Sequence, residues 1–152
     1  MKKEATSDFN FPGRHVTQKD DGTIILDQHD FIGKITKIYV PAARRRAPDA
    51  KATSDELTAF RSLVAQLAWP ARGTMPSLCF AVNDLQQRTA DLKIADIVHA
   101  NNVLNFAQKL TKDPAGYLIF KPLGPKTAPE LFTFSTTPRS ATSPEAAPSS
   151  AT

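Results

Sequence analysis

An α+β fold is predicted by three features of the sequence. An Asp-Gly turn, Asp21-Gly22, separates two short β-prone runs near the start. Two long stripes of apolar residues at helical spacing occupy the middle. Two short apolar runs, at 117–120 and 131–134, close the patterned region. The expected order is a β-hairpin, three to four helices and a short C-terminal strand pair, followed by a disordered tail. With 152 residues, 41% of them hydrophobic, the chain has material for one modest core.

Residues 1–10 show no periodic pattern and are expected to fray, with 1–8 a disordered start. The hairpin joins residues 14–18 to 23–26 through Lys19-Asp20-Asp21-Gly22, where glycine supplies the positive φ of a tight turn. Asp27 is positioned to cap a helix, because its carboxylate accepts from free first-turn N–H groups. Phe31, Ile32, Ile35 and Ile38 continue that helix on one face, and Pro41 stops it. Residues 41–52, rich in Ala, Arg and Pro, form a linker.

Thr53 and Glu56 have the spacing of a capping box. The helix behind them carries Leu57, Phe60, Leu63, Val64, Leu67 and Ala68, and is expected to end near Trp69 because Pro70 has no N–H to give. Trp69 closes this stripe and is assigned to core packing. After a turn at 72–75, Pro76 suits the first position of a further helix, with Leu78, Cys79, Val82 and Leu85 inward. A break at 89–91 precedes a long helix over about 92–110, whose apolar face is interrupted by Asn101 and Asn102. These amides, with Gln108, have two readings: bonding a partner, or capping a contact between helices. Residues 113–116 stop this helix. From Ser135 onward Ser, Thr, Ala and Pro dominate, too little apolar surface to offset the entropy of ordering, so 135–152 is a disordered tail.

The composition narrows the chemistry. A single cysteine, Cys79, excludes an internal disulfide and is placed as a small buried hydrophobe. No apolar run approaches the roughly 20 residues of a membrane helix, and the Met-Lys-Lys start leads into polar residues and not an apolar signal segment. An intracellular setting, cytoplasmic or nuclear, is expected. The net charge of +4 is compatible with a polyanionic partner. Arg44-Arg45-Arg46 is the densest local charge, equally readable as a phosphate contact and as a solvated linker. The six glycines form no phosphate loop, and there is no zinc-ligand spacing. His15, His29 and His99 are scattered, with His29 expected on a solvated face and His99 in a structural role. Asp20-Asp21, the adjacent acidic pair, is explained by the hairpin turn. The residues alone therefore give a small, mildly basic α+β domain with no catalytic constellation.

Three segments carry a sharper signal. From Phe9 to Ile35 the chain runs F-x-F-P-G-R-x-V-x-Q-x-x-D-G-T-I-x-L-D-Q-x-x-F-I-x-K-I. From Phe60 to Leu85 it runs F-R-S-L-V-A-Q-L-A-W-P-A-R-G-T-M-P-S-L-C-F-A-V-N-D-L, and from Asp96 to Ala107 D-I-V-H-A-N-N-V-L-N-F-A. In order and spacing these resemble the C-terminal part of the reverse transcriptase in copia-type retrotransposon Pol polyproteins. The resemblance covers most of residues 9–134. It implies a partial reverse-transcriptase domain with 9–40 as hairpin and helix at the palm edge, 41–52 as linker, 53–112 as helical thumb and connection, and 113–134 as short strands leading to the RNase H. The chain departs from the family at Thr74-Met75-Pro76-Ser77, where many relatives have T-R-P-D. It departs again at Thr136-Thr137-Pro138, where an acidic residue would follow the last strand.

The family's polymerase aspartates precede the matched region and its RNase H carboxylates follow it. The resemblance thus implies no catalytic residue, metal ligand or cofactor in this chain, magnesium belonging to the intact polymerase, and no DNA synthesis by the chain alone. It implies an RNA/DNA primer–template and the remainder of the Pol polyprotein as partners, with no membrane and no small-molecule substrate. Backbone contact is expected from Arg14, Lys19, Lys34 and Lys37 near the hairpin, from Arg44, Arg45 and Arg46 in the linker, and from Arg72. The rival readings are a non-catalytic protein-interaction module, docking through its helical faces, and an inert transposon remnant.

Overall fold

The computed structural model describes residues 8–122, which form a mixed α+β fold. The strands are β1 (Asp8–Phe11), β2 (Arg14–Gln18), β3 (Ile24–Asp27) and β4 (Leu118–Phe120). They make one antiparallel sheet in the order β1-β2-β3-β4. The helices are α1 (His29–Lys34), α2 (Ala42–Arg45), α3 (Ser54–Gly73), α4 (Cys79–Gln87) and α5 (Ile94–Leu110). Single 3₁₀ turns at Pro76–Leu78, Arg88–Asp91 and Pro114–Gly116 punctuate them. The expected strand at 131–134 and the tail at 135–152 lie outside the described residues, as do residues 1–7.

The central hairpin forms as its sequence dictates. Gly22 adopts φ +85° and Asp21 accepts from the Thr23 N–H at 2.8 Å, so the turn residues close the loop themselves. A second hairpin precedes it and overturns the expectation of a frayed start at residues 8–10. Pro12 and Gly13, the latter at φ +70°, link β1 to β2, an arrangement that needs proline's fixed φ followed by glycine's freedom. β4 pairs with β3, Leu118 opposite Leu26.

The first helix is shorter than its periodicity predicts. It ends at Lys34, where Ile35 turns extended, and residues 36–40 are neither helix nor strand. Asn101 clamps that segment: its side chain accepts from the Ile38 N–H and donates to the Ile38 carbonyl, both at 2.9 Å. Gln108 donates to the Ile35 carbonyl at 3.2 Å. Bonds offered from α5 thus replace the helical ones, and Val40, preceding Pro41, is pushed toward extended backbone. The first-turn cap also differs: the Asp27 carboxylate takes the His29 N–H at 3.2 Å, but the flanking residue is Gln28, which lies buried.

The helical layer holds the core. Phe60, Leu63, Val64 and Leu67 of α3 meet Leu78, Val82 and Leu85 around α4, and Ile94, Ile97, Leu104 and Ala107 of α5. Ile32, Ile35 and Val40 join them from the α1 side. The capping box forms as expected, with the Thr53 side chain accepting from the Glu56 N–H and Glu56 from the Thr53 N–H. Helix α3 passes through Pro70 instead of stopping before it. The bond forfeited is to the carbonyl of Gln66, an exposed residue, while the Pro70 ring is itself fully buried, so packing offsets the loss. None of the described helices is long and apolar enough to cross a membrane.

The sheet is attached to this layer without entering its core. Among the described residues, every buried hydrophobic side chain comes from position 32 or later and none from a strand. Polar bonds tie the segment after β3 to its surroundings: Thr74 donates to buried Gln28 at 3.1 Å, and His29 donates to the Gly116 carbonyl at 3.2 Å while meeting the Tyr117 ring edge-on. His29 is therefore a tie between elements, not a solvated side chain.

Candidate nucleic-acid interface

The two faces of the sheet differ in charge, as the register makes plain. Partners in an antiparallel ladder project to the same side, and neighbours along a strand to opposite sides. Phe11 is opposite Arg14, Phe9 opposite Val16, and Val16 opposite Leu26. This first face carries no carboxylate. On the second face Asp8 is opposite Thr17, Asn10 opposite His15, and His15 opposite Asp27.

On the first face Arg14 lies with its guanidinium carbon 5.1 Å from the centre of the Trp69 ring, within cation–π range. Trp69 is 43% exposed and stands against the Pro12-Gly13 turn, so it is a surface residue and not the core residue expected from its stripe. A Cβ on Gly13 would come 3.1 Å from the indole nitrogen, and one on Gly73 within 2.5 Å of the Gln28 amide oxygen, so both glycines permit close approach of hairpin and helix. Phe9 and Phe11 are 49% and 60% exposed.

On the second face both imidazole nitrogens of His15 meet carboxylates, Asp8 at 2.5 Å and Asp27 at 3.1 Å. Only an imidazolium donates through both nitrogens. The hydrogen bond to Asp27, with the charge of Asp8, raises the His15 pKa above the ordinary imidazole value. A raised folded-state pKa means that His15 contributes stability fully below about pH 6.5, the unfolded value, and that this is lost as pH rises through the folded value. The melting-temperature difference between the native chain and His15→Gln is therefore expected to be largest in mild acid and to shrink as pH is raised. A difference that stays constant across that range would rule out a charged His15.

The candidate cations fall into separate places. Arg14 and Lys34 line one cavity of about 260 Å³, together with Asp27 and Asp30. Lys37 and Arg45 line a second, of about 440 Å³, with Tyr39, Asn101 and Asn102. Arg45 also donates through Nε to the Val40 carbonyl at 2.8 Å, which fixes its stem and leaves the outer nitrogens free of that bond. Lys34 and Lys37 are three residues apart, so no more than about 11 Å of chain separates the two cavities' lysines. Arg44 is engaged internally: it binds Glu56 at 2.6 Å and the Lys51 carbonyl at 3.1 Å, and holds the Glu56 carboxyl below its usual range. Lys19 projects from the hairpin turn, Arg46 follows α2, and Arg72 borders a small cavity beside Cys79 and Asn83. Cys79 is half-buried, its thiol donating to the Ala71 carbonyl.

The sequence reading missed Phe9, Phe11, Trp69 and the Asp8–His15–Asp27 cluster. The Pro-Gly pair at 12–13 was the available signal, since it marks a turn and so a strand on each side. Asn101 and Gln108 bond within the chain, but to Ile38 and Ile35 of a non-helical segment and not across a contact between two helices. Among the described residues, no three His, Cys, Asp or Glu side chains come together as a metal site. Compared with protein-family models, curated proteins and solved structures, the chain matches none.

Proposed function

We propose that this chain is a non-catalytic, nucleic-acid-holding part of a copia-type reverse transcriptase, and that it contacts the primer–template through its sugar-phosphate backbone. The observation that carries the reading is the grouping of Arg14 with Lys34 and of Lys37 with Arg45 in two cavities joined by residues 34–37. These four side chains offer positive charge to successive phosphates. Arg44, paired with Glu56, is left out of the set. Contacts of this kind release counterions and read no bases, so binding is independent of sequence and sensitive to salt.

The double substitution Arg14→Gln/Lys34→Gln tests the assignment. Fluorescence anisotropy on an RNA–DNA primer–template is expected to show about a tenfold or greater loss of affinity at low salt, by a similar factor on unrelated sequences. Unchanged affinity would remove this cavity from the interface.

A further inference from the structure

The aromatic residues of the sheet have no role in backbone neutralisation, and their placement is informative. Phe9 and Phe11 project from the same face as Arg14, with Phe11 directly across from it. Two residues along an antiparallel strand span about 6.8 Å. That is about twice the 3.4 Å rise of stacked bases, which leaves room for one base between the rings. Arg14 itself stacks on Trp69, so cation and π-surface alternate along the turn. The carboxylates Asp8 and Asp27 lie on the opposite face, where His15 binds both.

We infer that this face binds single-stranded nucleic acid, with bases stacked on Phe9 and Phe11 and a flanking phosphate held by Arg14. The inference rests on the backbone-binding function proposed above and adds the strandedness of the ligand. The charge pattern selects this occupant: the strand positions of the face pair exposed aromatic rings with Arg14 and include no acidic residue, Asp27 and Asp30 lying at the cavity on its edge, which suits an anionic polymer bearing planar groups. Stacking tolerates any base, since every base has a π-face, so the face adds affinity without adding sequence preference.

The test compares two polyanions, one with bases and one without. Oligo(dT) of about 12 nucleotides and a heparin fragment are titrated into the full chain and into Phe9→Leu/Phe11→Leu. Both positions are exposed, and leucine keeps the surface apolar. The expected result is about a tenfold or greater loss of oligo(dT) affinity in the variant with heparin affinity unchanged. Equal losses for both ligands, or no loss for either, would overturn the stacking role while leaving the backbone reading in place. A native chain that binds neither ligand would overturn both readings. A native chain that self-associates, becomes monomeric in the variant and binds oligo(dT) unchanged would assign the face to a second copy instead.

Discussion

Replacing Phe60 with alanine is expected to cost about 3–5 kcal/mol of folding stability. Phe60 is the largest of the fully buried side chains, with no exposed surface, and sits on the stripe of α3 that meets α4 and α5. Truncation removes the transfer free energy of the ring and leaves a cavity between helices held at both ends. The capping box fixes the start of α3 at Thr53 and Glu56, so the helix cannot slide to fill the gap. Urea unfolding is the measurement, with a shifted midpoint and an unchanged slope expected. A loss below about 1 kcal/mol would mean that α3 is not packed as described.

Gly116→Ala is expected to be the next most damaging change, costing about 1–3 kcal/mol or more. An added Cβ would press into the Leu110 carbonyl, 2.8 Å from its carbon, and would lie 3.2 Å from the end of Met75. The main obstacle is backbone at the end of α5, which cannot swing aside as a side chain can. The 3₁₀ turn Pro114–Gly116 must then move, and with it the His29 bond to the Gly116 carbonyl and the entry to β4. Hydrogen exchange should show the amides of residues 117–120 losing protection ahead of those in α5. Gly33→Ala is the contrast: its Cβ would meet nothing within 4 Å, and alanine favours a helix over glycine by about 0.5–1 kcal/mol. Equal effects at the two glycines would contradict the close approach at Gly116.

The difference between what was legible in the sequence and what was not has a physical basis. The hairpin at Gly22, the capping box at Thr53 and Glu56, and the stripes of α3 and α5 are local: each is set by residues within a few positions of one another. The departures all depend on distant partners. α1 stops at Lys34 because Asn101 and Gln108, more than 60 positions away, take the backbone bonds of Ile38 and Ile35. α3 survives Pro70 because the ring is buried against other elements. Trp69 is drawn to the surface by Arg14 and the Gly13 turn, a pairing that the stripe of α3 does not encode.

The candidate site divides in the same way. Arg14, Lys34, Lys37 and Arg45 were identifiable as charges, but their grouping into two cavities is tertiary. Arg44 shows the reverse case. Within Arg44-Arg45-Arg46 nothing marks it as different, yet it closes the Glu56 capping box and so belongs to the scaffold. His15 gains its two carboxylate partners only when β1 and β3 flank β2, and no single segment of sequence contains all three strands' contributions.

The most direct measurement is the salt dependence of binding to a primer–template. Four backbone contacts, from Arg14, Lys34, Lys37 and Arg45, predict a slope of log K against log salt of about −3 to −4, the same for unrelated sequences. A slope near zero, or affinity that depends strongly on sequence, would contradict a backbone-holding role.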